Sequence, residues 1–255
     1  MSSIAVIIPC FRQAHYLKEA IESVDRQRVA VALVVAAGTD EDSRAARELG
    51  VQHVIDRADR GVADARNQAI EATPAEILLP LDADDVLEPT FLLTCLSQRP
   101  PPTVERWIVS TDVQEFGGRA NLWRLPPYDQ LHQCNTLSVT SLFSRALWEK
   151  AQGYDPAAIG AEDWDYWVRC AYHDPRVTQV HQALLLHRVH AESMSAKEAG
   201  LEGYWKAMLH LRHPARYGTH QLEADRKLVD TLPISVREEM VRRRAWWPDN
   251  AGLFL

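Results

Sequence analysis

The sequence predicts an α/β fold with a mostly parallel central sheet and a C-terminal helical extension, and three observations carry that prediction. Short apolar runs at residues 4–9, 32–37 and 77–81 have the length and continuity of buried strands, and residues 51–55 read as a further short strand. Segments of helical character separate them, with turn residues at the junctions. The last run, Leu78-Leu79-Pro80-Leu81, stops at Asp82-Ala83-Asp84-Asp85, three carboxylates within four residues, and ligands in open α/β sheets gather at the carboxyl ends of such strands.

The elements follow in order. Residues 4–9 form a compact apolar strand that leads through Cys10-Phe11-Arg12-Gln13 into a helix over 15–27. Residues 32–37 make a second buried strand, and Gly38-Thr39-Asp40 turns the chain into a helix over 42–49, with Gly50 placed to cap its end. A short third strand covers 51–55, Gly61 opens a loop, and residues 63–72 form the next helix before the strand at 77–81. Residues 86–96 look helical, so taken alone the acid cluster suits a helix-entry turn as well as a site. As a site, three crowded negative charges call for a cation or hydrogen-bond donors, and an oxygen-rich Mg²⁺ or Mn²⁺ site on a phosphorylated ligand is the economical functional form.

Pro100-Pro101-Pro102 punctuates the chain and precedes an irregular region that includes residues 107–111 and Gly117-Gly118. Residues 137–143 supply a further strand, residues 145–151 a short helix ended by Gly153, and residues 162–172 a helix with an acidic start. Beyond 201 the pattern is helical; Ser235 and Glu238 have capping-box spacing before a helix over 236–247 that Pro248 stops. The expected organisation is a catalytic domain over 1–200, divided into halves at about residue 100, and an extension over 201–255.

Composition narrows the function. A formal net charge of −7 over 255 residues argues against broad nucleic-acid binding, which needs a basic face. Four cysteines, Cys10, Cys95, Cys134 and Cys170, lie far apart without zinc-like spacing and fit a reducing cytoplasm. No apolar run approaches the length of a membrane span. Clustered Arg242-Arg243-Arg244-Ala245-Trp246-Trp247 suits peripheral contact with an anionic membrane at its inner face, and equally a solvated helix face or a protein contact.

Five motifs in order, Val6-Ile7-Ile8-Pro9-Cys10-Phe11, Gly61-Val62-Ala63-Asp64-Ala65-Arg66-Asn67, Leu81-Asp82-Ala83-Asp84-Asp85, Glu162-Asp163-Trp164-Asp165, and His187-Arg188-Val189-His190 with Ser193-Met194-Ser195, resemble the GT-A-fold glycosyltransferases of family 2. That resemblance implies a nucleotide-diphosphosugar transferase fold and an inverting transfer of sugar from a nucleotide-sugar donor to a glycan or lipid-linked glycan acceptor. It maps the DXD role onto Asp82 and Asp84, with Ala83 between them in the donor site, and assigns His190 to the shell of a Mn²⁺ or Mg²⁺ ion, although His190 read locally is an ordinary loop histidine. Asp163 takes the role of catalytic base, and Glu162 and Trp164 fall on the acceptor side. Pro9, Phe11 and Arg66 face the nucleotide, where Phe11 offers a stacking surface; a core aromatic and an exposed helix arginine are the local alternatives. Trp164 and Trp167 suit sugar stacking or packing, with packing expected for at least one.

One departure bears on the donor. The family commonly carries acidic residues where Ala36 and Ala37 stand, and a carboxylate there can accept the uracil imide hydrogen. Alanine offers no such acceptor, and Asp40 is the nearest substitute, so a UDP-sugar is favoured by the resemblance but another base is left open. The competing classes are a nucleotide-sugar-binding protein that has lost transfer, and a nucleotidyltransferase, which needs a Gly-rich phosphate loop that the first strand turn lacks.

Overall fold

A computed structural model describes residues 3–56, 58, 60–118, 120–193 and 200–234. The first half alternates β1 (Ile4–Cys10), α1 (Ala14–Asp25), β2 (Ala32–Ala37), α2 (Asp40–Glu48), β3 (His53–Asp56), α3 (Val62–Glu71) and β4 (Ile77–Pro80). β3, β2, β1 and β4 lie side by side in parallel, with Ile7 opposite Val34 on one flank and Pro80 on the other. Every residue of β1 is buried, because helices cover both faces of the sheet. Val6, Ile8 and Cys10 pack with Leu17, Ile21 and Val24 of α1, while Ala5 and Ile7 pack with Ala69 and Ile70 of α3. Full burial of each large apolar side chain is worth about 1.5–3 kcal/mol, which makes β1 the axis of the domain.

The second half continues the same sheet. β5 (Val86–Leu87), α4 (Phe91–Ser97), β6 (Trp107–Gly117), β7 (Leu122–Trp123), β8 (Leu142–Ser144), α5 (Arg145–Lys150), α6 (Glu162–Ala171) and β9 (Arg176–Val189) follow β4, and the strand order is β3-β2-β1-β4-β8-β6-β9-β5 with β7 on β6. β8 runs antiparallel to β4 and to β6, whereas β6 and β9 pair in parallel with a register shift between Thr111 and Val113.

Three expectations are corrected here. Residues 86–96 are not one helix: Val86 and Leu87 pair with Leu186 and Leu185, the Glu88 amide donates to the Leu184 carbonyl, and Pro89 delays α4 to Phe91. The stretch over 107–117 is regular, an eleven-residue strand. Its polar members Ser110, Thr111, Asp112 and Glu115 are buried, which masks the apolar pattern of a strand. The strand expected over 137–143 shrinks to β8, because Ser138 and Ser141 turn residues 138–141 through local bonds: Ser141 Oγ donates to the Ser138 carbonyl and Ser138 Oγ accepts from the Thr140 amide. β9, the longest strand, has no counterpart in the sequence reading; polar and apolar residues mix along its partly exposed length.

Beyond β9, α7 (Glu202–Arg212) and α8 (Thr219–Asp230) form the helical extension, which is docked. Leu209 joins the core of Tyr166 and Trp167, and a Cβ on Gly160 would meet the Trp205 ring at 2.6 Å. Asp165, fully buried on α6, accepts from Arg169 Nε at 2.8 Å and from Arg212 Nε and His213 Nε2 at 3.0 Å. Among the described residues no helix is long and apolar enough to cross a membrane. Met194, Ser195, Ser235, Glu238 and the Arg242–Trp247 stretch, all named above, lie outside the described residues.

Candidate active site

The sheet brings the carboxyl ends of β1, β2, β4 and β9 and the start of α6 to one side. At β1, the loop Cys10–Gln13 is held by a carboxylate that the sequence reading used only as a helix start. Asp42, fully buried in the first turn of α2, accepts from the Arg12 amide at 2.9 Å, the Gln13 amide at 3.1 Å and Thr39 Oγ1 at 2.6 Å, with the Cys10 thiol at 3.4 Å. These bonds fix Arg12 in a left-handed conformation, φ 57°, which a non-glycine residue holds only when its surroundings compel it. Phe11 is 52% exposed, so the core alternative gives way. Its ring lies against Gly38, where any Cβ would fall 2.4 Å from Phe11 Cδ2, and the Arg12 guanidinium sits 5.1 Å from the ring centroid. Pro9 and Cys10 are in register with Ala36 and Ala37, which are fully buried, and Asp40 is exposed at the start of α2.

The acid loop after β4 gives each of its three carboxylates a different set of partners. Asp82 accepts from Arg66 Nη2 at 2.8 Å. Asp84 Oδ2 accepts from Gln13 Nε2 at 3.0 Å and lies 2.8 Å from His190 Nε2. Asp85, 1% exposed, accepts from the Arg188 amide and contacts His187 Nδ1, both at 3.0 Å, so it pins the loop to β9. Burial pushes the Asp85 carboxyl up to about 6, and the bond to that carboxylate outweighs burial at His187 and raises the imidazole to about 9. Ala83 is buried beneath the loop.

Arg66 is the link to the other acid pair. It is buried on α3, its Nη1 donates to Glu162 Oε1 at 3.2 Å, and its guanidinium lies 5.5 Å from the Tyr154 ring centroid. Burial alone would favour its neutral form, but the charges of Asp82 and Glu162 dominate and hold it protonated. The exposed-arginine alternative is thereby corrected. The next residue, Asp163, accepts from Asn135 Nδ2 at 2.9 Å and from the Trp164 amide at 2.7 Å. Burial first, and then the Glu162 charge, push its carboxyl up to about 6 against the lowering effect of Arg66 and the two donors. Trp164 is partly buried and donates its indole N–H to the Leu131 carbonyl at 2.7 Å, whereas Trp167 is fully buried core.

The sequence-selected residues thus gather into two groups, Asp82–Arg66–Glu162 beside Asp163, and Asp84–His190. Asn135, Gln13, Asp42, Tyr16 and Arg188 complete the surroundings and were given no role from the sequence, since their contacts reach from 28 positions of chain, Asn135 to Asp163, to 169, Arg188 to Glu19, with no local pattern to announce them. As cation ligands, Asp84 and His190 fit. One carboxylate with one imidazole is a donor set compatible with Mn²⁺. Among the described residues no group of three or more His, Cys, Asp or Glu side chains is arranged to hold a metal ion.

Residues 5–98 match the family described as Glycosyl transferase family 2. Over 212 residues the chain is 20% identical to the chondroitin synthase of Escherichia coli, covering 78% of this chain but only 31% of that protein. Among solved structures, S. aureus TarS 1–349 in complex with UDP-GlcNAc superposes with a TM-score of 0.68 at 13% identity, over 94% of this chain and 79% of that one. The mannosyltransferase PcManGT from Pyrobaculum calidifontis, in complex with GDP-Man and Mn²⁺, gives a TM-score of 0.62 at 19% identity, over 86% and 65% of the two chains. The parallel half-sheet, the acid loop at its carboxyl edge and the matched segment agree: residues 5–98 are similar to glycosyltransferase family 2, and the fold built on them is GT-A.

Proposed function

We propose that this protein is an inverting glycosyltransferase that moves a sugar from a nucleoside-diphosphate sugar to a hydroxyl of a glycan or lipid-linked glycan. One observation carries the reading: Arg66 ties Asp82, at the donor edge of the sheet, to Glu162, the neighbour of a carboxylate held by two donors with its pKa raised to about 6. That is the environment of a general base, close enough to neutrality to take a proton and still ionised at pH 7. Asp163 removes the acceptor proton as the oxygen attacks the anomeric carbon; the nucleoside diphosphate leaves from the opposite face, which inverts that carbon without a covalent intermediate. Asn135 and the Trp164 amide fix the carboxylate for this role. Arg66 balances the charges of Asp82 and Glu162, which would otherwise repel the diphosphate.

Asp84 and His190 are the residues that would hold a divalent cation against the diphosphate. Such an ion supplies electrostatic relief of the charge that builds on the departing phosphate. Phe11 receives the base, with Pro9 beneath. The buried Ala36 and Ala37 present no carboxylate to it, so donor choice is decided by the loop backbone and by Asp40; UDP is the first donor to test, and complexes of similar proteins with UDP-GlcNAc and with GDP-Man support testing both bases. Contact with a membrane-borne acceptor is assigned to residues 235–255; their deletion should reduce liposome association, and unchanged association would remove that role.

The reading is tested by nucleotide release from UDP- and GDP-sugars with an oligosaccharide acceptor panel. Asp163→Asn is expected to lower turnover by about 100-fold or more while donor affinity stays within a few-fold, and the product anomer, read by NMR, should be inverted. Normal turnover by Asp163→Asn would overturn the assignment. Donor binding with neither transfer nor hydrolysis in the wild type would favour the alternative, a binding protein, to which the alanines at 36 and 37 lend their support.

A further inference from the structure

One face of α1 reaches the acid loop and the end of β9 together. Gln13, Tyr16 and Glu19 stand three residues apart at the start of the helix and therefore share a face. Gln13 Nε2 donates to Asp84 Oδ2 at 3.0 Å; the Tyr16 ring lies 5.0 Å from the His190 ring; Glu19 accepts from Arg188 Nη2 at 2.6 Å. Arg188 is gripped from several sides, its Nε donating to the Asp84 carbonyl at 2.9 Å and its guanidinium lying 4.8 Å from the Tyr16 and 4.3 Å from the Phe116 ring centroids. Gln13 is distinctive within this face because its backbone amide is bonded to Asp42 while its side chain is bonded to Asp84. Two residues before it stands Phe11, the exposed ring of the same pinned loop.

We propose that Gln13 is a positioning residue that couples occupancy of the nucleoside loop to cation binding at Asp84 and His190. The inference deepens the donor site proposed above and rests on it. A base stacked on Phe11 restricts the Phe11-Arg12-Gln13 segment. Because Asp42 anchors the Arg12 and Gln13 amides, that restriction passes to the Gln13 side chain, which holds the Asp84 oxygen facing His190. Ordering one site reduces the cost of ordering the other, and the effect is reciprocal. The diphosphate would couple base and metal trivially by touching both, so the informative ligand is a nucleoside, which has no phosphate.

The test is Mn²⁺ affinity of the full chain, read from the free-ion EPR signal, alone and with saturating uridine, guanosine or thymidine, and separately with UDP and GDP. In the wild type one nucleoside is expected to raise Mn²⁺ affinity about 5-fold or more. Gln13→Met, which keeps the length of the side chain and removes its donor, should abolish that increase while leaving the melting midpoint and the effect of the diphosphates in place. Mn²⁺ binding that responds to UDP or GDP but to no nucleoside would overturn the coupling alone, as would coupling that persists in Gln13→Met. Absence of Mn²⁺ binding with every nucleotide would overturn the cation site and the coupling together. The wild-type comparison needs no variant to fold.

Discussion

Asp163 carries the sharpest consequence at the scale of a single residue. Its carboxyl must be ionised to take a proton, and burial with the Glu162 charge pushes its pKa up to about 6. The rate constant kcat/KM should therefore fall about tenfold per pH unit below that value and level off above it. Asn135 donates to the same carboxylate and favours its charged form. Asn135→Ala should move the acid limb to higher pH and, through lost orientation, lower kcat by up to about 100-fold; an unmoved limb would deny Asn135 this role. Arg66→Met leaves Asp82 and Glu162 facing each other across a site that has lost its buried cation, a loss of roughly 3 kcal/mol by denaturant unfolding. The acids themselves were legible in the sequence, since Asp82, Asp84 and Glu162-Asp163 sit in compact motifs. Their partners were not, because a hydrogen bond from Asn135 to Asp163 or from Gln13 to Asp84 leaves no local trace.

At the scale of elements, α6 is a hinge of function and stability. Its first turn presents Glu162 and Asp163, and the next acid inward, Asp165, anchors the extension. Burial alone would raise the Asp165 carboxyl, but His213, Arg212 and Arg169 hold it well below the usual carboxylate range. A depressed pKa gives stability that is fully present above the unfolded value of about 3.9 and is lost as pH falls toward the folded one. Asp163 has the opposite sign: its raised pKa means that the fold loses stability as pH climbs from about 4 to 6 and nothing further above that. Asp165→Ala removes the carboxylate shared by Arg169, Arg212 and His213 while Arg212 keeps Asp155 and Arg169 keeps the Ala151 and Gly153 carbonyls, and should cost about 3 kcal/mol; hydrogen exchange should show faster opening of α7 and α8 than of β1, and uniform protection would contradict the anchor. β1, β2 and β4 were readable because each is a continuous apolar run, and β3, His53–Asp56, from the turn residues around it. β6 and β9 escaped notice for the converse reason: buried Ser110, Thr111, Asp112 and Glu115 interrupt the first, and partial exposure blurs the second.

The whole molecule places the acid loop between β4 and β5 and the Glu162–Asp163 pair on one side of a single sheet, and it joins them through Arg66 on α3. The C-terminal extension shares its core with α6 through Leu209 and bonds to Asp165 through Arg212 and His213. No composition pattern marks that docking, which depends on a buried aspartate meeting an arginine 47 residues away. Thermal unfolding with UDP, GDP and dTDP sugars, each with and without Mn²⁺, measures the central claim most directly. At 100 times the dissociation constant a ligand adds about 2.7 kcal/mol, roughly 5–10 °C for a chain of this size. The account predicts such a shift for at least one nucleotide in the presence of Mn²⁺, with the Mn²⁺-dependent part lost in Asp84→Asn; a midpoint that no metal–nucleotide pair moves would contradict it.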